Sequence, residues 1–135
     1  MNAKQYLSQI RNLERRIAIK RRDIEDLRSH ARSVTGPAGG DAVSASGSGD
    51  RVGSTAARIV DLEREIQADI DRYVRLRAEI TAVIDRVPDS VYVDILYRRY
   101  VHGQSWERIA SEMQYDRRWI YRLHGRALHE ISLLM

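Results

Sequence analysis

Hydrophobic residues recur at alternating intervals of three and four along two long stretches of the chain. In the first stretch the apolar positions are Ala3, Tyr6, Ile10, Leu13, Ile17, Ile24, Leu27, Ala31 and Val34. In the second stretch they are Ile59, Leu62, Ile66, Tyr73, Leu76, Ile80, Val83 and Val87. A strict repeat of this kind over about four heptads is typical of a coiled-coil seam. It predicts one long helix over residues 1–34 and a second over residues 55–87.

Residues 35–54 separate these helices and contain six of the eight glycines in the chain. Such a segment buries too little apolar surface to offset the entropy lost on ordering it, so it predicts a flexible Gly/Ser-rich linker. A linker of this length lets the chain reverse its direction. The two helices are therefore predicted to pair as an antiparallel coiled-coil hairpin, either within one chain or between two chains in a four-helix dimer.

One charged residue interrupts each seam, Lys20 in the first and Asp69 in the second. Both lie at nearly the same distance from the linker, so an antiparallel hairpin brings them to the same level. We predict that they pair, directly or through Tyr73, and that the pair fixes the register, since sliding would leave each charge unpaired in an apolar seam. The alternative is that Lys20 extends to solvent and Asp69 lies at the exposed rim.

Residues 88–135 show shorter helical patterns and are predicted to form a separate domain. The second long helix ends at Pro88, because the residue before a proline is disfavoured in the α region. Asp89 is a good N-cap for a helix that starts at Ser90. His102 and Gly103 end this helix, with glycine in the left-handed position after the last turn.

Two further helices with a tight turn between them complete this domain. Ser105 caps a short helix, and Asp116 caps a final helix after a turn at Gln114 and Tyr115. The short helix has an apolar stripe of Trp106, Ile109, Ala110 and Met113. The final helix has a core stripe of Ile120, Leu123, Ala127 and Ile131. Two helices joined in this way predict a helix-turn-helix.

The face of the final helix opposite its core stripe is rich in arginine. It carries Arg118, Arg122, Gly125 and His129, with Tyr121 at its flank and Arg117 in the first turn. Guanidinium groups suit guanine edges and phosphates, and a tyrosine suits the backbone or a thymine methyl group. An outward glycine costs about 1 kcal/mol relative to alanine, which predicts the close approach of a partner at Gly125. The alternative is a solvated arginine-rich face on an ordinary helical bundle.

Charge and composition exclude several functional classes. The chain has 135 residues, no cysteine, and 23 Lys and Arg against 19 Asp and Glu, for a net charge of +4. The absence of cysteine excludes disulfide scaffolds, zinc ribbons and a cysteine nucleophile. No apolar run reaches the roughly 18–20 residues of a membrane span and no signal-peptide pattern opens the chain, so a soluble intracellular protein is expected.

The sequence contains no recognisable catalytic or metal-binding motif. His124 and His129 are five residues apart, about 140° around a helix, so they cannot hold one metal ion from one face. The acidic pairs near Glu63 and Asp69 have arginines three or four residues away, as in ordinary surface ion pairs. We therefore expect no enzyme activity, no cofactor and no metal.

The C-terminal residues resemble region 4 of sigma-70-type factors. The similarity lies in SWERIA (105–110), MQYD (113–116) and WIYRLHGRAL (119–128). Over almost its full length the chain resembles small phage and prophage transcriptional regulators of the RinA/ArpU-like type. That similarity adds KQYL (4–7), IVDLE (59–63) and RRY (98–100). Two departures stand out, since Gln114 replaces the glycine common in such turns and Trp119 is bulky where smaller polar residues are usual.

The resemblance implies a DNA-binding regulator of phage gene expression, often of late genes, in the cytoplasm of a bacterial host. The residues expected to contact bases or the groove, by the resemblance and by the helical projection alike, are Arg117, Arg118, Tyr121 and Arg122. The residues expected to contact phosphates are Arg99, Arg108, Trp119, Arg126 and His129. Double-stranded DNA is the expected partner, and the hairpin is expected to form a homodimer or to contact RNA polymerase.

Two other functions remain open at this stage. A phage small terminase subunit also combines a helix-turn-helix with oligomerising helices, although it usually places the DNA module first and forms larger rings. An adaptor protein that does not bind DNA would bind a partner through the hairpin, and its arginine-rich face would only contact solvent. Light scattering distinguishes a ring from a dimer, and a DNA shift assay distinguishes either from the adaptor.

Overall fold

The computed structural model describes residues 1–35 and 45–135, and every regular element in these ranges is a helix. The predicted all-α class is therefore confirmed. The elements are α1 (Ala3–Thr35), α2 (Ala45–Ile84), α3 (Ser90–Leu96), a π-helical turn (Tyr97–Val101), α4 (Trp106–Met113) and α5 (Arg117–Leu134). None of the helices in the described ranges is long and apolar enough to cross a lipid bilayer.

The predicted linker is shorter than residues 35–54. Residues 36–44 lie outside the described part of the chain, but α1 includes Thr35 and α2 begins at Ala45, ten residues earlier than expected. A glycine inside a helix costs about 1 kcal/mol of stability relative to alanine. Each residue added to an existing helix also adds one backbone hydrogen bond, which opposes this cost. Val52 and Thr55 line a surface depression together with His30 of α1.

The second long helix also ends slightly earlier than expected. α2 stops at Ile84, and the backbone N–H of Val87 donates to the carbonyl of Ile84 at 3.0 Å in a turn that follows it. Val87 itself is buried, so it belongs to the core although it is outside the helix. Pro88 follows directly, and it disfavours the helical conformation at Val87.

The described residues form two compact units, which we call the middle unit (Arg15–Asp71) and the terminal unit (Met1–Glu14 with Arg72–Met135). In the middle unit, Lys20 Nζ donates to Asp69 Oδ2 at 2.6 Å, and Arg28 pairs with Glu63 at 3.0 Å. These pairs show that α1 and α2 run antiparallel within this unit. Within the described residues of this unit, the buried side chains include those of Ile17, Ile24, Leu62 and Ile66.

The predicted contact between Lys20 and Asp69 is thus present in its direct form. Their side chains are 26% and 15% exposed, so the charges are largely removed from solvent. Tyr73, the alternative bridge, belongs to the terminal unit and donates its hydroxyl to Glu14 Oε1 at 2.9 Å. The role of the pair in fixing the register stays a prediction.

The terminal unit does not follow the predicted domain boundary at residue 88. Its main core joins residues from both ends of the chain, namely Ala3, Leu7, Ile10, Ile80, Ile84, Val87, Leu96, Tyr100, Val101, Ala127 and Ile131. A second cluster contains Ile95, Ile109, Ile120 and Leu123. A segment of about fifty residues buries a smaller fraction of its surface than a larger domain and is only marginally stable alone, and here the ends of α1 and α2 add to its core.

The start of α1 is fixed by a reciprocal pair of hydrogen bonds. The backbone N–H of Gln5 donates to Asn2 Oδ1 at 2.8 Å, and the backbone N–H of Asn2 donates to Gln5 Oε1 at 2.9 Å. This capping box satisfies two N–H groups that the helix would otherwise leave free. It positions the first turn of α1 against the terminal core.

A π-helical turn connects α3 to the loop before α4. The N–H of His102 donates to the carbonyl of Tyr97 at 2.8 Å, one residue further back than in an α-helix. The extra residue allows both Tyr100 and Val101 to face the core. Gly103 then ends the helix in the left-handed region at φ 67°, as expected from the sequence.

Candidate nucleic-acid interface

The start of α4 is capped by the residue that the sequence predicts. Ser105 has an extended backbone, and its Oγ accepts the N–H of Arg108 at 3.2 Å. Ile109 is fully buried, and the other members of the predicted stripe pack around it. The buried stripe turns the opposite side of α4, which carries Glu107 and Arg108, toward solvent.

The turn between α4 and α5 depends on a left-handed glutamine. Gln114 has φ 58° and ψ 42°, and it is the one non-glycine residue with positive φ in the described ranges. The N–H of Tyr115 donates to the carbonyl of Ala110 at 3.1 Å, which closes the end of α4. Asp116 occupies the N-cap position of α5, but its carboxylate accepts no capping hydrogen bond, so that part of the prediction is wrong.

The inner face of α5 is the one predicted. Its four buried residues are Ile120, Leu123, Ala127 and Ile131, none more than 6% exposed. Ile120 and Leu123 pack in the cluster that includes Ile109 of α4, whereas Ala127 and Ile131 belong to the main core. Because the period of an α-helix is 3.6 residues, this stripe determines which side chains of α5 face outward.

The outer face of α5 is exposed and basic. Arg118 and Arg122 are both exposed, and neither has a hydrogen bond or ion pair with any residue that the structure describes. Gly125 and His129 are exposed on the same face. A Cβ atom at Gly125 would meet nothing within 4 Å, so the fold of the described chain does not require a glycine there.

Arg117 is held by an acidic residue of α4. Its Nη2 lies 2.7 Å from Glu107 Oε1, and both side chains are largely exposed. The hydrogen bond from Arg117 to Glu107 raises the pKa of the guanidinium above its usual value. Of the four predicted base-contacting residues, Arg117 is therefore the one that already has an anionic partner.

Tyr121 belongs to an aromatic cluster that sequence reasoning missed. Trp106 packs edge-on against Tyr121, with ring centroids 5.6 Å apart, and against His124 at 4.5 Å. The Arg99 guanidinium lies over the Trp106 ring, 4.5 Å from its centroid. These contacts fix the inner edge of Tyr121 while 47% of the residue remains exposed.

His124 and Tyr100 form a further unpredicted pair. The Tyr100 hydroxyl lies 2.7 Å from His124 Nε2. Burial, followed by the charges of Lys4 and Arg99, lowers the pKa of His124 to about 4. Burial raises the pKa of Tyr100 to about 12, so both groups are neutral near pH 7. Their pairing depends on the π-helical turn, for which the sequence has no clear signal.

The predicted phosphate contacts fall into two groups. Arg99 donates to the carbonyl of Gln104 at 3.0 Å and stacks on Trp106, so it supports the fold more than it faces solvent. Arg108 donates to Glu112 at 2.9 Å but remains 64% exposed. Trp119, Arg126 and His129 are exposed, with the Arg126 guanidinium 5.6 Å from the Trp119 ring centroid.

Glu112 links α4 to the π-helical turn. It accepts hydrogen bonds from Arg108 and from Arg98, which also pairs with Asp94 at 2.9 Å. The hydrogen bond from Arg108 is the main reason that the pKa of Glu112 lies below its usual value. The orientation of α4 is thus supported by ion pairs as well as by its buried stripe.

Within residues 1–35 and 45–135 no group of three or more acidic or histidine side chains is arranged to hold a metal ion. Comparison of the chain with protein-family models, with curated proteins and with solved structures found no match. The resemblance to phage regulators therefore remains an expectation based on the residues themselves.

Proposed function

We propose that the protein is a sequence-specific DNA-binding transcription regulator of phage or prophage type. In this proposal α4 and α5 act as a helix-turn-helix, and α5 lies in the major groove. The observation that carries the proposal is the outer face of α5, where Arg118 and Arg122 are exposed and without partners in the described chain. The buried stripe on the opposite face supports this orientation of α5.

The spacing of these arginines suits the base edges of a duplex. Four residues of helix rise about 6 Å, which covers roughly two base-pair steps of about 3.4 Å each. A guanidinium group can donate two parallel hydrogen bonds to O6 and N7 of a guanine. Arg118 and Arg122 are thus able to read two positions of one site that are about two base pairs apart.

The surrounding residues have distinct roles in this proposal. Tyr121, steadied by Trp106, contacts the sugar-phosphate backbone or a thymine methyl group. Arg117 contacts the groove from the first turn of α5. The contacts proposed to phosphates are those of Arg108, Trp119, Arg126 and His129.

The long helices α1 and α2 supply the association that a single helix-turn-helix needs. One such module buries little DNA surface, so useful specificity requires a second copy or another protein on the same DNA. We propose that α1 and α2 form a helical hairpin that dimerises or contacts RNA polymerase. In this arrangement the terminal unit binds the half-site.

The experiment is a binding titration with Arg122→Ala. The probe is a duplex enriched from a random pool by repeated binding at about 50 mM salt, where phosphate contacts are strong. Arg122→Ala is expected to raise Kd by about 5- to 150-fold, equivalent to about 1–3 kcal/mol, and to relax the preference at one base position. Arg118→Ala should act in the same way at a different position.

The matched control is Arg75→Ala, which removes an equal charge from an exposed site on α2 in the terminal unit. It is expected to change Kd less than about twofold, because the lost charge makes no proposed contact. Failure of the wild-type protein to enrich or retain any duplex at low salt contradicts the proposal and favours the adaptor. Equal losses for Arg75→Ala and Arg122→Ala would indicate binding by net charge alone.

A further inference from the structure

Two basic residues of α1 belong to the same compact unit as the proposed DNA interface. Lys4 and Arg11 are seven residues apart, so they share one face of the helix. Leu7 lies between them on the same side of the helix and is buried in the core of the terminal unit, as are Ala3 and Ile10 on the adjacent side. The same cluster includes Ala127 and Ile131 of α5, so this part of α1 packs beside α5.

Arg11 lies directly against the loop that precedes α4. Its guanidinium is so close to Gly103 that a Cβ atom at that position would overlap it. Gly103 is followed two residues later by Ser105, the N-cap of α4, and Glu107 in the first turn of α4 contacts Arg117 of α5. Arg11 and Arg117 are therefore both close to the N-terminal end of α4.

Lys4 follows Ala3, which packs in the same core cluster as Ala127 of α5. The charge of Lys4 reaches His124 on α5, where it adds to burial in lowering the histidine pKa. His124 in turn contacts Trp106, which packs against Tyr121. Lys4 is itself exposed.

We propose that Lys4 and Arg11 bind backbone phosphates of the DNA next to the base pairs that α5 contacts. The inference rests on the proposed DNA-binding function and extends the interface from the helix-turn-helix to the first turns of α1. Charge complementarity supports it, because a duplex carries one negative charge for about every 1.7 Å of its axis. Arg11 donates to Glu14 through Nη1, and its guanidinium has further N–H donors for a phosphate.

The test is the salt dependence of binding by the full-length protein. Lys4→Gln and Arg11→Gln are titrated against the enriched duplex and against a random duplex between about 50 and 200 mM salt. Each substitution is expected to weaken binding to both duplexes by a similar factor and to lower the slope of log K against log salt by about 1. The ratio of specific to random affinity should stay constant, in contrast to Arg122→Ala.

An independent readout checks the position of Lys4 without DNA. In Lys4→Gln the NMR titration of His124 should move to higher pH, because one of the charges that disfavour the protonated ring has gone. The control is Arg16→Gln, a substitution at an exposed arginine of the middle unit, which should leave both the salt slope and the His124 titration unchanged. Thermal unfolding verifies that each variant is folded. If Arg11→Gln does not fold, Lys4→Gln alone serves as the test.

The outcomes separate this inference from the function on which it rests. In one outcome, the wild-type protein binds DNA and Arg122→Ala relaxes specificity, but both α1 variants keep the wild-type salt slope. This outcome contradicts the phosphate contacts of Lys4 and Arg11 and leaves the proposed function standing. If the wild-type protein binds no duplex at low salt, both proposals fail together.

Discussion

At the scale of single residues, Gln114 carries backbone strain at the turn between α4 and α5. Its φ of 58° lies in the left-handed region, which costs a residue with a side chain about 1–2 kcal/mol. The sequence identifies the position because glycine is expected there, and the structure shows that glutamine adopts the glycine conformation. The turn geometry is therefore retained at a cost in stability.

Replacing this residue by glycine should stabilise the terminal unit. Gln114→Gly is expected to raise the free energy of unfolding by about 0.5–1 kcal/mol, since the relief of strain exceeds the added entropy of the unfolded chain. Urea unfolding followed by the fluorescence of Trp106 and Trp119 measures the effect. The control is Ser111→Gly in the helical part of α4, which should destabilise the unit by about 0.5 kcal/mol. Destabilisation by Gln114→Gly would show that the turn is not strained.

At the scale of helices, α5 was well predicted because its pattern is local. The spacing of Ile120, Leu123, Ala127 and Ile131 alone determines the buried face, and all four are buried. The Ser105 cap and the left-handed Gly103 were predicted for the same reason. Each of these features depends on residues within one or two helical turns.

The unpredicted features depend on contacts between distant parts of the chain. The cluster of Trp106, His124 and Arg99 requires the π-helical turn, and the sequence has no clear signal for that turn. The burial of Leu7 against the C-terminal helices requires knowledge of which end of α1 they contact. The early start of α2 at Ala45 includes Gly47, Gly49 and Gly53, whose low helix propensity predicts a later start.

Gly125 provides a prediction that separates folding from binding. Gly125→Ala should raise the free energy of unfolding by about 1 kcal/mol, because alanine is the better helix former and the added Cβ meets no atom of the described chain. The same variant should bind the enriched duplex more weakly, since the methyl group occupies space that the DNA approaches. Urea unfolding and the binding titration give the two values.

The control for this prediction is Gly103→Ala. It should destabilise the protein, because Gly103 has a positive φ and its Cβ would overlap the Arg11 guanidinium. If Gly125→Ala raises stability and leaves DNA affinity unchanged, the close approach at this position is contradicted.

At the scale of the whole molecule, the described residues form two compact units, and one of them combines the first fourteen residues with the C-terminal part of the chain. The first fourteen residues complete the core that the last helices require, so the predicted boundary at residue 88 does not separate two domains. Among the side chains of the middle unit whose burial is described, four are buried: Ile17, Ile24, Leu62 and Ile66. We predict that the polar pair of Lys20 and Asp69 fixes the register of this unit.

Lys20→Leu should destabilise the middle unit by about 1–3 kcal/mol, because Asp69 would be left largely buried without its partner. Lys20→Leu combined with Asp69→Leu should recover this stability but allow other registers or larger assemblies. Circular dichroism and light scattering measure the two effects. Arg28→Leu, which breaks an exposed pair with Glu63, is the control and should change stability by less than about 1 kcal/mol. An unchanged stability and oligomeric state in Lys20→Leu would refute the register role.

The central claim is that the outer face of α5 meets DNA, and NMR mapping of the full-length protein with the enriched duplex tests it most directly. We predict that the largest amide shifts on adding DNA occur at exposed positions of residues 117–129, with further shifts near Lys4 and Arg11. Shifts confined to residues 15–71, or no shifts at about 50 mM salt where phosphate contacts are strong, would contradict the account.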